Sequence, residues 1–120
     1  MRYAWIAVGG AAGSSARWLL GLSMAGVTVG GFPLPTLLAN LAGSFALGFA
    51  FGRWGDRSAS AAYQAATSGF LGAFTTMSAF GWEAWTLLSD GRAAAAAAYV
   101  AASALAGPLL AGAGLRAGAP

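Results

Sequence analysis

Four apolar segments dominate this chain, and each is long enough to cross a lipid bilayer. They cover residues 3–25, 35–52, 61–88 and 93–115, and short loops separate them. Because hydrocarbon offers the backbone no hydrogen-bond partners, such segments cross a membrane as helices. We therefore predict an all-α membrane protein with four transmembrane helices, in which consecutive helices are antiparallel and the whole chain, 1–120, forms one domain.

The composition agrees with burial in lipid and excludes several functions. Hydrophobic residues make up 58% of the 120 residues and charged residues 8%, whereas a soluble domain has about 25% charged residues. The six basic residues are arginines spread singly along the chain, so we expect no nucleic-acid partner. Cysteine and histidine are absent from the sequence. No thiolate metal site or acid–base pair can then be assembled, and we predict that the chain is not an enzyme.

The third apolar segment has a polar interruption. Residues 69–80 read GFLGAFTTMSAF, with two glycines and three hydroxyl residues among aromatic rings. A backbone that leaves the helix at membrane depth needs protein, water or an ion to satisfy its N–H and C=O groups. We predict a break in the third helix near 72–76, in a setting typical of an ion path.

Polar residues in the other segments point to the same kind of site. They are Arg17 in the first, Asn40 and Ser44 in the second, and Tyr99 and Ser103 in the fourth. Polar groups are costly inside membranes and are often functional. Amide and hydroxyl donors can replace the water around an anion without the fixed charge that would trap it. The alternative for Asn40 is an interhelical hydrogen bond, and for Arg17 a backbone cap or an arginine that snorkels to the headgroups.

The acidic residues weigh against proton coupling. Asp56, Glu83 and Asp90 all lie at or near the predicted loops, so we expect no carboxylate at mid-membrane. A small proton-coupled multidrug-type exporter would need one, and a cation channel with an acidic filter also fits poorly. A non-transport scaffold or holin-like protein remains as an alternative, although it leaves Asn40 and the polar groups of 75–80 without a task.

Three motifs together resemble the CrcB/Fluc family of fluoride channels. They are GGAAG at 9–13 followed by Arg17, PTLLANLAGSF at 35–45, and the interrupted string at 69–80. The resemblance covers nearly the whole chain. It implies a dimer of oppositely oriented four-helix subunits in the cell inner or plasma membrane, through which fluoride leaves the cytoplasm passively.

The resemblance also implies roles for single residues. The fluoride pore would include Asn40, Thr76, Met77, Ser78, Phe80, Tyr99 and Ser103. Backbone carbonyls of Gly72 and Thr75 would hold a structural Na⁺ on the dimer axis, Glu83 would lie at the pore mouth, and Arg17 would be a structural or vestibule residue. Met77 stands where the family usually has phenylalanine. Methionine lacks the positive ring edge of a phenyl group, so we expect it to line the pore without coordinating the anion as a ring would.

Small residues four apart, such as Gly9 with Gly13 and Gly48 with Gly52, are typical of close helix contacts in membranes.

The arginines are distributed unevenly between the two predicted sides of the membrane. Both chain ends and the second loop belong on one side of a four-span protein. That side carries Arg2, Arg53, Arg57 and Arg116, and the other carries Arg92 and Arg17. The positive-inside rule then favours cytoplasmic ends, which leaves two hypotheses for the assembly: a homodimer, or a heterodimer with an oppositely inserted homologue.

Overall fold

The computed structural model describes residues 1–25 and 31–120, and this part of the chain is helical apart from short connections. In chain order the α-helices are α1 (Arg2–Ser23), α2 (Leu34–Trp54), α3 (Ala61–Gln64), α4 (Gly72–Phe74), α5 (Met77–Ser89) and α6 (Ala93–Gly118). A 3-10 turn, Gly55–Arg57, follows α2, and a π-helical segment, Ala65–Leu71, joins α3 to α4. The predicted all-α architecture is confirmed. The loop expected after the first span falls partly on 26–30, outside the described residues.

The segment predicted as the third span is composite. Helix α3, the π-helical segment and α4 run on continuously, and we call 61–74 the upstream half and α5 the downstream half. Between the halves the backbone is extended at Thr75 (φ −80°, ψ 156°) and Thr76 (φ −148°, ψ 128°). The Ser60 hydroxyl accepts a hydrogen bond from Tyr63 N–H and caps the start of the upstream half. The helical path therefore stops and restarts within one span.

Helix α1 packs closely on the upstream half through glycines. A methyl group at Gly9 would overlap the Ala65 carbonyl, and one at Gly13 would overlap the Phe70 carbonyl. Both contacts advance in the same direction along the two helices, so spans one and three are parallel neighbours. The glycine spacing in α1 thus predicted a real helix contact. The π-helical form of its partner was not predicted, since no residue type in 65–71 distinguishes π from α hydrogen bonding.

Helices α2 and α6 form a second parallel pair. A methyl group at Gly48 would overlap the Ala111 carbonyl, and one at Gly114 would overlap the Phe45 carbonyl. Small residues allow this backbone approach, which is how helices associate where lipid is as apolar as the side chains. The close pairs are therefore alternate spans, one with three and two with four, rather than neighbours along the chain.

The contacts at the two ends of the molecule show that α2 and α6 run in the same direction. Arg53, Arg57 and Pro120 line one concavity, so the chain end lies beside the turn that follows α2. At the opposite end, the Arg92 guanidinium lies 2.9 Å from the position that a Cβ would take on Gly31. Helices α2 and α6 therefore begin at one end and finish at the other.

Apolar side chains cover much of the outer surface. Helix α2 with its following turn, Leu34–Arg57, and helix α6, Ala93–Gly118, are the two helices in the described ranges that are long and apolar enough to cross a membrane. Large apolar side chains lie exposed on the other spans as well, including Trp18 on α1 and Trp85 on α5. A surface of this kind fits a membrane protein, because lipid tails rather than water would cover it.

Candidate functional site

The interruption of the third span is held by a side chain of α2. Asn40 Nδ2 donates to the Thr76 carbonyl at 2.9 Å, and Thr76 N–H donates to Asn40 Oδ1 at 2.7 Å. The Thr76 hydroxyl in turn accepts from Ala79 N–H at 3.2 Å and caps the start of α5. One amide therefore pairs both backbone groups that the break would otherwise leave without partners.

The end of the upstream half is capped from α1. Arg17 Nε donates to the Ala73 carbonyl at 3.2 Å, and the Thr75 hydroxyl donates to the Leu71 carbonyl at 3.0 Å. A guanidinium at the last carbonyls of a helix also meets the negative end of its dipole. Of the two interpretations of Arg17 within the span, the backbone cap is the one whose contact is found.

Two carbonyl groups at the break lose their helical donors. In a continuous helix the Gly72 carbonyl would accept from Thr76 N–H, but that N–H donates to Asn40 instead. Thr75 is itself in extended conformation, and Ala79 N–H, the helical donor of its carbonyl, donates to the Thr76 hydroxyl instead. Gly72 is exposed and has no side chain to cover its backbone. Neutral oxygens of this kind suit a hard cation.

Most of the predicted site residues meet at one open cleft between the two helix pairs. The cleft has a volume of about 1080 Å³. Seven predicted residues line it: Asn40, Gly72, Thr75, Thr76, Met77, Phe80 and Ser103. They come from three separate spans. The residue types that sequence reasoning selected therefore converge in space.

Four predicted site residues lie outside that lining. Arg17 donates to the Ala73 carbonyl at the end of the upstream half. Ser78 is exposed at the start of α5, and its hydroxyl oxygen is 3.3 Å from that of Thr76. Tyr99 and Glu83 belong to an adjoining hydrogen-bonded cluster. Tyr99 is fully buried and donates to Glu83 Oε2 at 2.7 Å.

The cluster around Glu83 corrects one expectation. Glu83 was expected at or near a loop, but it lies half-buried in the interior of α5. The Thr36 hydroxyl donates to its other oxygen, Oε1, at 2.7 Å. Thr36 was not predicted as a site residue, because it follows proline at the start of α2 and nothing in its spacing linked it to α5. A carboxylate therefore sits between two buried hydroxyl donors on neighbouring helices.

Aromatic rings connect this cluster to the cleft. The Tyr99 ring meets the Phe80 ring at 5.1 Å between centroids and the Phe32 ring edge-on at 5.5 Å. Phe80 also lines the cleft, so Phe80 and Tyr99 link the cleft to the Glu83 carboxylate. Edge-on arrangements place the positive ring edge against electron-rich groups.

Ser103 and Met77 differ from their neighbours in what they contact. The Ser103 hydroxyl is buried, and no hydrogen-bond partner for it exists among residues 1–25 and 31–120. Met77 keeps 78% of its surface exposed. The cleft wall therefore holds a donor without a partner among the described residues and a large, exposed side chain.

Comparison with known proteins places these features in a family. Residues 4–115 match the family described as CrcB-like protein, Camphor Resistance (CrcB). The chain is 39% identical over 111 residues to Fluoride-specific ion channel FluC 2 of Moorella thermoacetica, covering 92% of this chain and 91% of that protein. It is 38% identical over 122 residues to Fluoride-specific ion channel FluC 2 of Geobacillus kaustophilus, covering 100% of this chain and 95% of the other. The resemblance drawn from the motifs is confirmed, and the chain belongs to the CrcB family.

Proposed function

We propose that this chain is the subunit of a fluoride-selective ion channel that lets fluoride leave the cytoplasm passively. Relatives that align along almost its full length are named fluoride-specific ion channels. The observation that carries the proposal is the convergence of neutral donors on one cleft beside an interrupted helix. A pore needs ligands that replace water but release the ion again, and neutral donors do this better than a lysine would.

The cleft offers several such donors. An asparagine amide carries two N–H hydrogens, and in Asn40 one of them is used by the Thr76 carbonyl. The second remains for a ligand in the cleft. The Ser103 hydroxyl, buried without a partner among the described residues, adds another donor. The Phe80 ring edge carries partial positive charge, so the three groups together resemble a partial hydration shell.

Fluoride export of this kind needs no coupling to ATP hydrolysis or to a proton gradient. Fluoride enters cells as neutral HF, dissociates near neutral pH and is then trapped as the anion. A selective pore lets it leave down its concentration gradient, helped by the negative cell interior, and so lowers its toxicity. The protein's task is to strip water from fluoride at low cost and to exclude other anions.

A structural Na⁺ fits the residues present. The carbonyl oxygens of Gly72 and Thr75 would hold it, since the first has lost its helical donor to Asn40. Two oxygens are too few to surround a cation, and a second subunit would supply two more if the ion lay on a twofold axis. The ion would supply positive charge to these oxygens and stabilise the assembly that binds it.

A second subunit would also close the cleft. The cleft is open along one side, and Met77 lies exposed beside it. We propose a homodimer as the leading assembly, in a multi-pass arrangement in the cell inner membrane. The heterodimer alternative is supported by the arginines: Arg53 and Arg57 share one end with the chain terminus, which favours one orientation. A tag on the C-terminus, expressed without other homologues and found equally on both membrane faces, would overturn a fixed orientation.

One observation favours a second candidate function. Glu83 is a half-buried carboxylate inside a helix, the feature that a proton-coupled exporter would use. Its two oxygens are already occupied by the hydroxyls of Thr36 and Tyr99, which suits a structural anchor better. Transport that requires a proton gradient would support the exporter.

The deciding experiment is anion efflux from liposomes. Purified protein is reconstituted with trapped fluoride or trapped chloride, with and without Na⁺, at equal pH on both sides. We expect rapid fluoride efflux, little chloride efflux, and a loss of activity when Na⁺ is withdrawn during purification. Fluoride retention equal to that of protein-free vesicles would overturn the proposal.

A further inference from the structure

Some hydroxyl side chains inside these helices bond to their own backbone. Thr67 donates to the Tyr63 carbonyl at 2.8 Å, and Thr86 donates to the Trp82 carbonyl at 2.9 Å. This is a common way for a helical hydroxyl to satisfy itself in an apolar setting. In the described part of the chain, the Ser103 hydroxyl is buried and has no partner. Ser44 is half-buried and takes part in none of the side-chain hydrogen bonds between described residues, whereas the other helical serines without such a bond are exposed: Ser14, Ser15, Ser68 and Ser89.

Ser44 lies on the same wall as Ser103. It follows Asn40 by one turn of α2, about 5.4 Å along the axis, and both residues line the cleft. The Ser44 hydroxyl oxygen is 3.8 Å from the position that a Cβ would take on Gly107. Gly107 is one turn after Ser103 on α6, and both line the cleft as well. Ser44 and Ser103 therefore face the cleft from two helices that are in close contact.

The next cleft-lining residues beyond Ser44 on its own helix are apolar. Leu47 and Phe51 line the cleft toward the end that carries Arg53. An anion that left Asn40 along α2 would lose its donor unless a further donor followed. The buried Ser103 hydroxyl, which has no partner among the described residues, costs free energy, and a ligand that accepts from it would offset that cost.

We propose that Ser44 coordinates the permeating anion at a second position, one helical turn from Asn40 and shared with Ser103. This rests on the proposed function, because the anion is fluoride in passage. Hydroxyls can rotate to donate as the ion arrives and to turn away as it leaves. Two weak sites in series hold an ion less tightly than one strong site, which is what conduction requires.

The test compares two serines in the same chain. Ser44→Ala removes the proposed donor, and Ser23→Ala removes a hydroxyl that lies exposed near the end of α1 and donates to the Leu20 carbonyl. We expect Ser44→Ala to lower the initial rate of fluoride efflux from liposomes by roughly tenfold, the effect of one hydrogen bond to a charged ligand. Ser23→Ala should match the unmodified chain.

A cysteine variant gives an independent measurement. The sequence has no cysteine, so Ser44→Cys introduces the single thiol of the protein. We expect a small, water-soluble, charged thiol reagent to modify it and to block fluoride efflux, while modification of Ser23→Cys should leave efflux unchanged.

The outcomes separate this inference from the proposed function. If the unmodified chain releases no fluoride, the proposed function itself fails. If it does release fluoride but Ser44→Ala equals Ser23→Ala, or modified Ser44→Cys still conducts, the second position is wrong and the channel stands. A Ser44→Ala protein that elutes as a smaller assembly in detergent would also overturn the inference, since the hydroxyl would then serve a subunit contact.

Discussion

Asn40 and Thr76 exchange two hydrogen bonds across the interrupted third span, with the amide donating to the carbonyl at 2.9 Å and accepting from the N–H at 2.7 Å. One side chain thus replaces both helical partners that Thr76 lacks. The interhelical hydrogen bond and the pore role were alternatives for Asn40 in the sequence. The geometry allows both, because the amide has a second N–H hydrogen and also lines the cleft.

Asn40→Asp should nearly abolish fluoride efflux. A carboxylate still accepts from Thr76 N–H but cannot donate to the Thr76 carbonyl, and it places a negative charge where we propose that the anion passes. We expect efflux to fall by more than about a hundredfold, since losing a charged hydrogen bond and adding a like charge each cost on the order of 1.5–3 kcal/mol. Liposome efflux with a fluoride electrode measures the effect.

The matched control for that change is Gln64→Glu. It makes the same amide-to-acid replacement at an amide that donates to the Ser58 carbonyl, near the opposite end of the upstream half. We expect its efflux to stay within about twofold of the unmodified chain, because Gln64 is half-buried near the start of the upstream half, away from the break, and salt screens a charge within roughly 10 Å. Equal losses in both variants would mean that any added negative charge is harmful, and would remove the support for Asn40 as a pore residue.

Residue types and spacing predicted the polar components of the site but not their arrangement. Asn40, Thr76 and Phe80 could be selected because uncharged polar groups and aromatic rings are conspicuous in apolar segments. The contact of Glu83 with Thr36 and Tyr99 could not, since it depends on how three helices are rotated about their axes. Helix periodicity does not fix that rotation when nearly every face is apolar.

The pairing of alternate spans illustrates the same limit. Four-residue glycine spacing indicated that α1 and α2 each have a close partner, but it could not say which helix the partner is. In the structure Gly48 meets Ala111, and Gly13 meets Phe70. Both partners present backbone carbonyls, which every residue has. A glycine stripe therefore identifies one side of a contact and leaves the other side to tertiary packing.

Gly114→Ala should destabilise the fold, and Gly112→Ala should not. An alanine methyl at Gly114 would overlap the Phe45 carbonyl and push α6 away from α2, whereas nothing lies within 4 Å of a Cβ on Gly112. Overpacking of this kind costs about 1–3 kcal/mol, while alanine at an open helical position gains up to about 1 kcal/mol. Thermal unfolding in detergent measures both. A Gly114→Ala midpoint at or above that of Gly112→Ala would contradict the close α2–α6 contact.

Arg17→Met should weaken the end of the upstream half. Methionine keeps much of the side-chain length but cannot donate to the Ala73 carbonyl, which Arg17 Nε contacts at 3.2 Å. An unpaired carbonyl in an apolar setting costs about 1–3 kcal/mol. Arg2→Met is the control, because Arg2 is exposed and its guanidinium lies over the Tyr3 ring at 5.7 Å. Arg17→Met alone should lower the midpoint of thermal unfolding. Equal midpoints for Arg17→Met and Arg2→Met would favour an arginine that snorkels to the headgroups over a backbone cap.

Met77→Phe should increase fluoride efflux several-fold. Met77 lines the cleft and is 78% exposed, so a phenyl ring there would not disturb the packed interior of this chain. The ring would add a positive edge to a wall that has Phe80 one turn further along α5. Met77→Leu is the matched control, because it keeps the apolar volume and adds no ring. Faster efflux in both variants would attribute the gain to lost methionine flexibility, whereas no gain in either would mean that Met77 does not contact the anion and that the departure from phenylalanine leaves permeation unchanged.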